Sequence, residues 1–243
     1  MARASQESTD LDLLRAHARG DGDAFGQLVA RHLDMVYSAA LRQVRDPHLA
    51  DDVTQAVFLV LWRKSASLGE ATILPAWLYR TAGYCASNAL RLRRIRHHHE
   101  HRAAPMSNID SHREHAAAAT DHDAELSAVL DRAVAKLSPA DRTAVIMRFF
   151  EGKSADDVAA ALHVTPEAAR KRVERAVIKL QAILSRLGAV TAAPALSGFL
   201  ASRAIVTSPP QVAASVNATI AAASSAAGPP AAPASLRKEP SWR

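Results

Sequence analysis

The sequence predicts an all-α protein: two small helical domains, an N-terminal helical bundle and a C-terminal helix-turn-helix, joined by a flexible linker and followed by an Ala/Pro-rich tail. Three observations lead there. Aromatic residues make up only 5% of the chain while Ala, Leu, Val and Arg abound, and Ala and straight-chain side chains lose little entropy in a helix. Apolar residues recur every three to four positions through successive segments. That period lapses in the middle of the 243 residues, from about Ala103 to Asp123, where Ala, His, Ser, Asn and Asp dominate. The resulting division is 10–102 for the first domain, 103–124 for the linker, 125–187 for the second domain and 188–243 for the tail.

Each element has its own local signals. Leu11, Leu14 and Ala18 share a face between Asp10 and Arg19, and Gly20 stops that helix. From Asp23 a longer amphipathic pattern through Phe25, Leu28, Val29, Leu33, Val36, Tyr37, Ala40 and Val44 runs until Asp46-Pro47 breaks it. Pro47 suits the first turn of a third helix carrying Val53, Phe58, Leu61 and Trp62, with Asp51 and Asp52 favourable near its positive end. After Ser65 to Gly69, Pro75 opens a fourth helix through Trp77, Leu78, Ala82, Cys85, Ala86 and Leu90, ending in the basic run RLRRIRHHHEHR. Helix resumes near Glu125 and reaches Leu137; Ser138-Pro139 then caps another that carries Val145, Ile146, Phe149 and Phe150 to Gly152.

The net charge of +6 and pI near 9.9 point to a polyanionic partner, nucleic acid first. A lone cysteine, Cys85, excludes an intramolecular disulfide framework and fits a reducing, cytoplasmic setting. No stretch has the length and apolarity of a bilayer span, so no stable membrane insertion is expected, and MARASQESTD lacks the apolar core of a signal peptide.

The most specific local pattern lies at 154–187. Ser154-Ala-Asp-Asp157 forms a capping box with Asp in the last position, His163-Val164 makes a tight turn, and Thr165-Pro166 caps and opens the next helix. At about 100° per residue, Ala169, Val173, Ala176, Leu180 and Leu184 fall on one face of that helix. Glu167, Lys171, Glu174 and Ile178 fall opposite, flanked by Arg170, Arg172 and Arg175. A helix-turn-helix would place that charged face in the DNA major groove. Arg170 and Lys171 are suited to guanine edges, Glu174 to a cytosine amino group, and Arg172 and Arg175 to phosphates.

With these residues in view, the chain from about Leu11 to Leu187 resembles the extracytoplasmic-function sigma factors of the sigma-70 family. ADDVTQAVFLVLW is similar to that family's polymerase-binding helix, PAWLYRTAGYCASNALRLRR to its helix for the −10 promoter element, and LSPADRTAVIMRFFEGKSADDVAAALHVTPEAARKRVERAVIKL to its −35 domain. The resemblance implies a non-enzymatic specificity factor that binds bacterial core RNA polymerase and promoter DNA and helps to open the −10 region. It implies polymerase contacts at Asp52, Gln55 and Phe58, with Trp62 completing the motif, and a linker threading the polymerase cleft. Opening a strand requires polar and aromatic groups for unstacked bases and cations for the backbone; Arg80, Tyr84, Asn88, Arg91 and Arg94 are the candidates on the basic helix. The chain departs from the family pattern at Gly83-Tyr84, where Arg-Asn is frequent, and at Ala56, where Glu is frequent.

Other readings weigh less. A DNA-binding regulator that ignores polymerase would not need the Asp52, Gln55, Phe58 and Trp62 set. A helical enzyme would need a phosphate loop, zinc motif or nucleophile elbow; Gly152-Lys153-Ser154 lacks the upstream glycine of a P-loop, Met147 standing there. His97 and His101 share a helical face, but Cys or carboxylate partners at ligand spacing are not evident, so neither metal nor cofactor is expected. Trp62 and Trp77 read as core, and Cys85 as a small buried hydrophobe. The tail segments Pro194 to Val206 and Val212 to Ala223 read as short apolar helices without a clear partner in the chain. An anti-sigma partner, its identity, and the tail's role are left open.

Overall fold

A computed structural model describes residues 8–103, 121–189, 192–202 and 205–227, and among these residues regular structure is entirely helical. Helix α1 (Asp10–Ala18) starts on a capping box in which Thr9 accepts from the Asp12 amide and the Asp12 carboxylate accepts from the Thr9 amide. Helix α2 (Gly22–Val44) is capped by Asp21 and ends on Arg45 in the left-handed region, φ 52°. Helix α3 (Pro47–Lys64) has Asp46 as its cap and proline in its first turn. A 3₁₀ turn at Ser65–Ser67 leads to α4 (Leu74–Ala103). These four helices bury Leu28, Val36, Val57, Phe58, Leu61 and Leu78 completely, which at ~1.5–3 kcal/mol per large side chain is the main force holding the bundle. Trp62 belongs to this core and Trp77 is half-buried against it, with Cys85 likewise half-buried at its edge.

Helix α5 (Asp121–Ala135) begins four residues ahead of the expected Glu125. Asp121 and Asp123 suit a helix N-terminus, but a polar first turn has no apolar period to announce it. Ser138 and Pro139 start α6 (Pro139–Val145), which widens into a π-helical turn at Ile146–Phe150 before Gly152, φ 63°, ends it. The sequence pattern gave no sign of that widening. It lets Ile146, Met147 and Phe150 all point inward. Helices α7 (Ala155–Leu162) and α8 (Pro166–Arg186) follow, the former on the Ser154/Asp157 capping box and the latter on Thr165. A small separate core of Ala144, Met147, Val158, Ala159 and Ala169 fixes their angle.

The tail differs from expectation. Helices α9 (Ala193–Ser202) and α10 (Pro210–Ala227) form, and both have partners: Leu196, Phe199 and Leu200 of α9 and Val212, Val216 and Ile220 of α10 are buried in the main core. Apolar spacing reveals that a face is covered, but not what covers it. The two domains also touch directly, sharing one continuous core in which the Tyr79 and Phe150 rings lie 5.2 Å apart. Most of the expected linker, 104–120, and the end of the tail, 228–243, lie outside the described residues.

Candidate nucleic-acid interface

The α7–α8 pair is built by its termini. Ser154 Oγ accepts from the Asp157 amide at 3.1 Å while Asp157 Oδ2 accepts from the Ser154 amide at 2.9 Å. These bonds hold the Asp157 carboxyl below its ordinary value. The turn is closed by His163 in the left-handed region, φ 53°, whose amide donates back to α7. Thr165 Oγ1 accepts from the Ala168 amide at 3.2 Å and sets the first turn of α8. Ala169, Ala176, Leu180 and Leu184 are buried, with Val173 half-buried.

Outward from that face stand Arg170, Lys171, Glu174 and Arg175, all exposed, together with Ile178, 59% exposed. Lys171 pairs with Glu167 one turn earlier at 2.7 Å, a surface pair worth a few tenths of a kcal/mol, roughly. Arg175 Nε donates to the Lys171 carbonyl at 3.1 Å. Arg172 is placed differently from the sequence expectation. It is half-buried with its guanidinium 3.6 Å from Asp141, whose carboxylate also accepts from Lys179 at 2.6 Å. Burial alone would raise the Asp141 pKa, but the bonds from Lys179 and Ser138 and the charges of Lys179 and Arg172 hold it low. Arg172 therefore braces α8 against α6.

On α4, Arg80, Tyr84, Asn88, Arg91 and Arg94 are all exposed, Tyr84 by 53%. Asn88 Oδ1 accepts from Arg91 at 3.2 Å, and Arg93 reaches Asp46 at 2.9 Å, tying the helix to the α2–α3 turn. Arg80 and Tyr84 border an open cleft of about 650 Å³ between the two domains, also lined by Arg42, Arg132 and Arg142. These positions, spaced four, four, three and three residues apart, thus form one cationic face with an aromatic ring in it.

On α3, Asp52 is exposed and Gln55 half-buried. Gln55 Nε2 donates to Asp51 Oδ1 at 3.1 Å. Phe58, expected as a polymerase contact, is instead completely buried in the bundle core. An aromatic ring at this register of an amphipathic helix faces inward, and in this packing it offers a partner no surface.

Two contacts between the domains were invisible in the sequence. Arg42 of α2 donates to both oxygens of Asp131 of α5, at 2.9 and 3.1 Å, and lies 5.3 Å over the Phe150 ring. The Tyr79 hydroxyl donates to the same carboxylate. Burial disfavours the Arg42 charge, yet Asp131 and Tyr79 raise its pKa above the usual guanidinium value. His32, wholly buried in α2, lies 3.1 Å from Asp10 through Nε2 and 3.0 Å from Glu151 through Nδ1. Desolvation works against its charge, but the two carboxylates prevail and push its pKa up to about 9. Among the described residues no group of three or more His, Cys, Asp or Glu side chains is placed to hold a metal ion, and no helix is long and apolar enough to cross a membrane.

A helical bundle with a cationic face, followed by a helix-turn-helix, defines a DNA-binding transcription protein of two helical modules. The chain matches the model of sigma-70 region 2 over residues 28–95 and that of sigma-70 region 4 over residues 127–180. It is 35% identical over 168 residues to the RNA polymerase sigma factor CarQ of Myxococcus xanthus, covering 69% of this chain and 93% of that one. It is 30% identical over 181 residues to the ECF RNA polymerase sigma factor SigM of Mycobacterium tuberculosis, covering 74% and 87% respectively. A solved structure of CnrH in complex with the cytosolic domain of CnrY aligns at 26% identity and a TM-score of 0.38, over 74% of this chain and 99% of that one. The chain belongs to the ECF sigma factors of the sigma-70 family. It is a non-catalytic subunit that binds core RNA polymerase and directs promoter-specific transcription initiation.

Proposed function

We propose that three surfaces divide this work. The exposed start of α3, with Asp52 foremost and Gln55 beside it, docks on core polymerase. The α4 face of Arg80, Tyr84, Asn88, Arg91 and Arg94 holds the opened −10 strand, the ring stacking on a base and the cations following the backbone. Helix α8 reads the −35 element, Arg170 and Lys171 at guanine edges, Glu174 at a cytosine amino group and Arg175 at phosphate. Arg172, engaged with Asp141, contributes by holding α8 in place. The observation that carries this reading is that the exposed cationic residues of α4 and α8, joined on α4 by Tyr84, gather on single helix faces within the two matched regions. A cytoplasmic site of action follows from the polymerase partner and agrees with the lone cysteine.

The test is reconstitution with bacterial core polymerase and transcription from genomic fragments. Charge reversal by Asp52→Arg lowers core affinity at least tenfold without altering DNA contacts. Arg170→Ala costs ~1–3 kcal/mol and relaxes preference at one −35 position, whereas Arg175→Ala weakens binding to all sequences alike. Tight DNA binding by the wild type with no core binding, where a control sigma factor binds, would refute the assignment of α3.

A further inference from the structure

The helix proposed above to dock on polymerase is already occupied. Helix α10 lies along α3 with Val212, Val216 and Ile220, one residue per turn, buried against the core. Between them its hydroxyls reach the polar residues of α3: Ser215 Oγ donates to Asp51 Oδ1 at 3.0 Å, and Thr219 Oγ1 meets Gln55 Oε1 at 3.1 Å. Both helices advance four residues from one contact to the next, so they run side by side in the same direction. Gln55 is thereby engaged at both ends of its amide, by Asp51 and by Thr219. The helix itself, PQVAASVNATIAAASSAA, carries no charge, and its Ala, Ser and Thr residues allow close approach.

The segment before α10 fixes its placement. The Val206 amide donates to Ser38 Oγ at 2.7 Å, and the Ser208 amide and hydroxyl both donate to Asp34 Oδ1, at 2.9 and 2.7 Å. Ser38 and Ser208 are buried. These bonds anchor the strap on α2, so that α10 is delivered to α3 at the high effective concentration of an intramolecular ligand.

We propose that α10 is a cis-acting competitor of core polymerase: it covers the Asp51/Gln55 side of α3, and the sigma factor engages polymerase only when α10 is displaced. The proposal rests on the reading of α3 as the polymerase-docking helix. Apparent affinity falls by the fraction of molecules in the competent state, so a cover closed in about nine molecules of ten weakens core binding about tenfold.

The test uses the full chain. Val212→Asp/Val216→Asp places two charges in the α10 interface, and hydrogen exchange over 210–227 reports its detachment. The expected result is core binding about tenfold tighter than wild type. A second form, Asp51→Cys/Ser215→Cys in a Cys85→Ala background, is oxidised to bridge α10 to α3; it loses core binding, and reductant restores it. Wild-type affinity in the aspartate variant with exchange protection over 210–227 lost, or equal binding by the oxidised and reduced cysteine forms, overturns the proposal. Failure of every form to bind, beside a control sigma factor that does, removes the α3 assignment and this inference with it.

Discussion

His163 occupies a position that glycine would ordinarily fill. With φ 53° it closes the turn between α7 and α8, and a side chain there meets the following carbonyl at ~1–2 kcal/mol. Glycine removes that strain but gains ~0.5–1 kcal/mol of unfolded-state freedom to lose on folding. His163→Gly is therefore expected to raise stability by about 0.5 kcal/mol, seen as a small increase in thermal midpoint with the amide bonds of the turn unchanged. No gain would mean that the imidazole makes a compensating contact. At this scale the sequence is an uneven guide. Ser138, Ser154 and Thr165 were readable as caps because each acts within three residues of itself, and all three bond as their spacing required. Arg42 and Asp131, or His32 and Glu151, lie 89 and 119 residues apart, and each was indistinguishable from a solvated residue on an amphipathic helix. The burial of Phe58 was legible from its place on the apolar face of α3.

Among the elements, α7 depends most on local chemistry. It spans eight residues, too few to be stable without its cap and its packing on α8. Ser154→Ala removes the acceptor for the Asp157 amide and leaves that carboxylate without its hydroxyl donor. The expected loss is ~1 kcal/mol, with faster amide exchange in α7 and weaker −35 binding, because α7 supports the reading helix from behind. Retained exchange protection would show that packing alone holds the turn. The helices themselves were legible because their apolar periods and breakers agree: Asp46-Pro47, Ser138-Pro139 and Thr165-Pro166 each mark a start. Helix α10 was visible as a segment, yet its seat on α3 depends on Ser208 and Asp34, 174 residues apart, bonding at the far end of the strap. No local signal encodes that meeting, nor does one encode the π-helical turn that lets α6 present both Ile146 and Phe150 to the shared core.

For the whole molecule, the contacts between domains describe a closed state that promoter binding must undo. Elements named −10 and −35 lie about 25 base pairs apart, or ~85 Å at 3.4 Å per pair, whereas a compact 243-residue chain has a radius of gyration of only ~18 Å. The domains have to part. His32 is the contact most sensitive to conditions. It is faced by Asp10 from α1, itself held by Arg31 at 2.6 Å, and by Glu151 after the π-helical turn. Two acceptors on one imidazole require both nitrogens to donate, so the ring is charged in the closed state. Its pKa is raised from the ordinary 6.5 to about 9, hence its stabilisation is complete below about pH 6.5 and disappears as pH rises through 9. Asp10, whose carboxyl sits low despite burial because of His32 and Arg31, limits the acid side, its contribution fading as pH falls below the ordinary carboxylate value. Parting the domains removes Glu151 but leaves Asp10 beside His32, so closure should loosen as pH rises towards and through about 9, measured as rising energy-transfer distance between dyes on α2 and α8. His32→Gln, which cannot carry the charge, should start more open at pH 6.5 and show a flat profile across that range. A variant profile as steep as the wild type's would assign the pH response to another group and leave Arg42 and Asp131 as the principal tie between the domains.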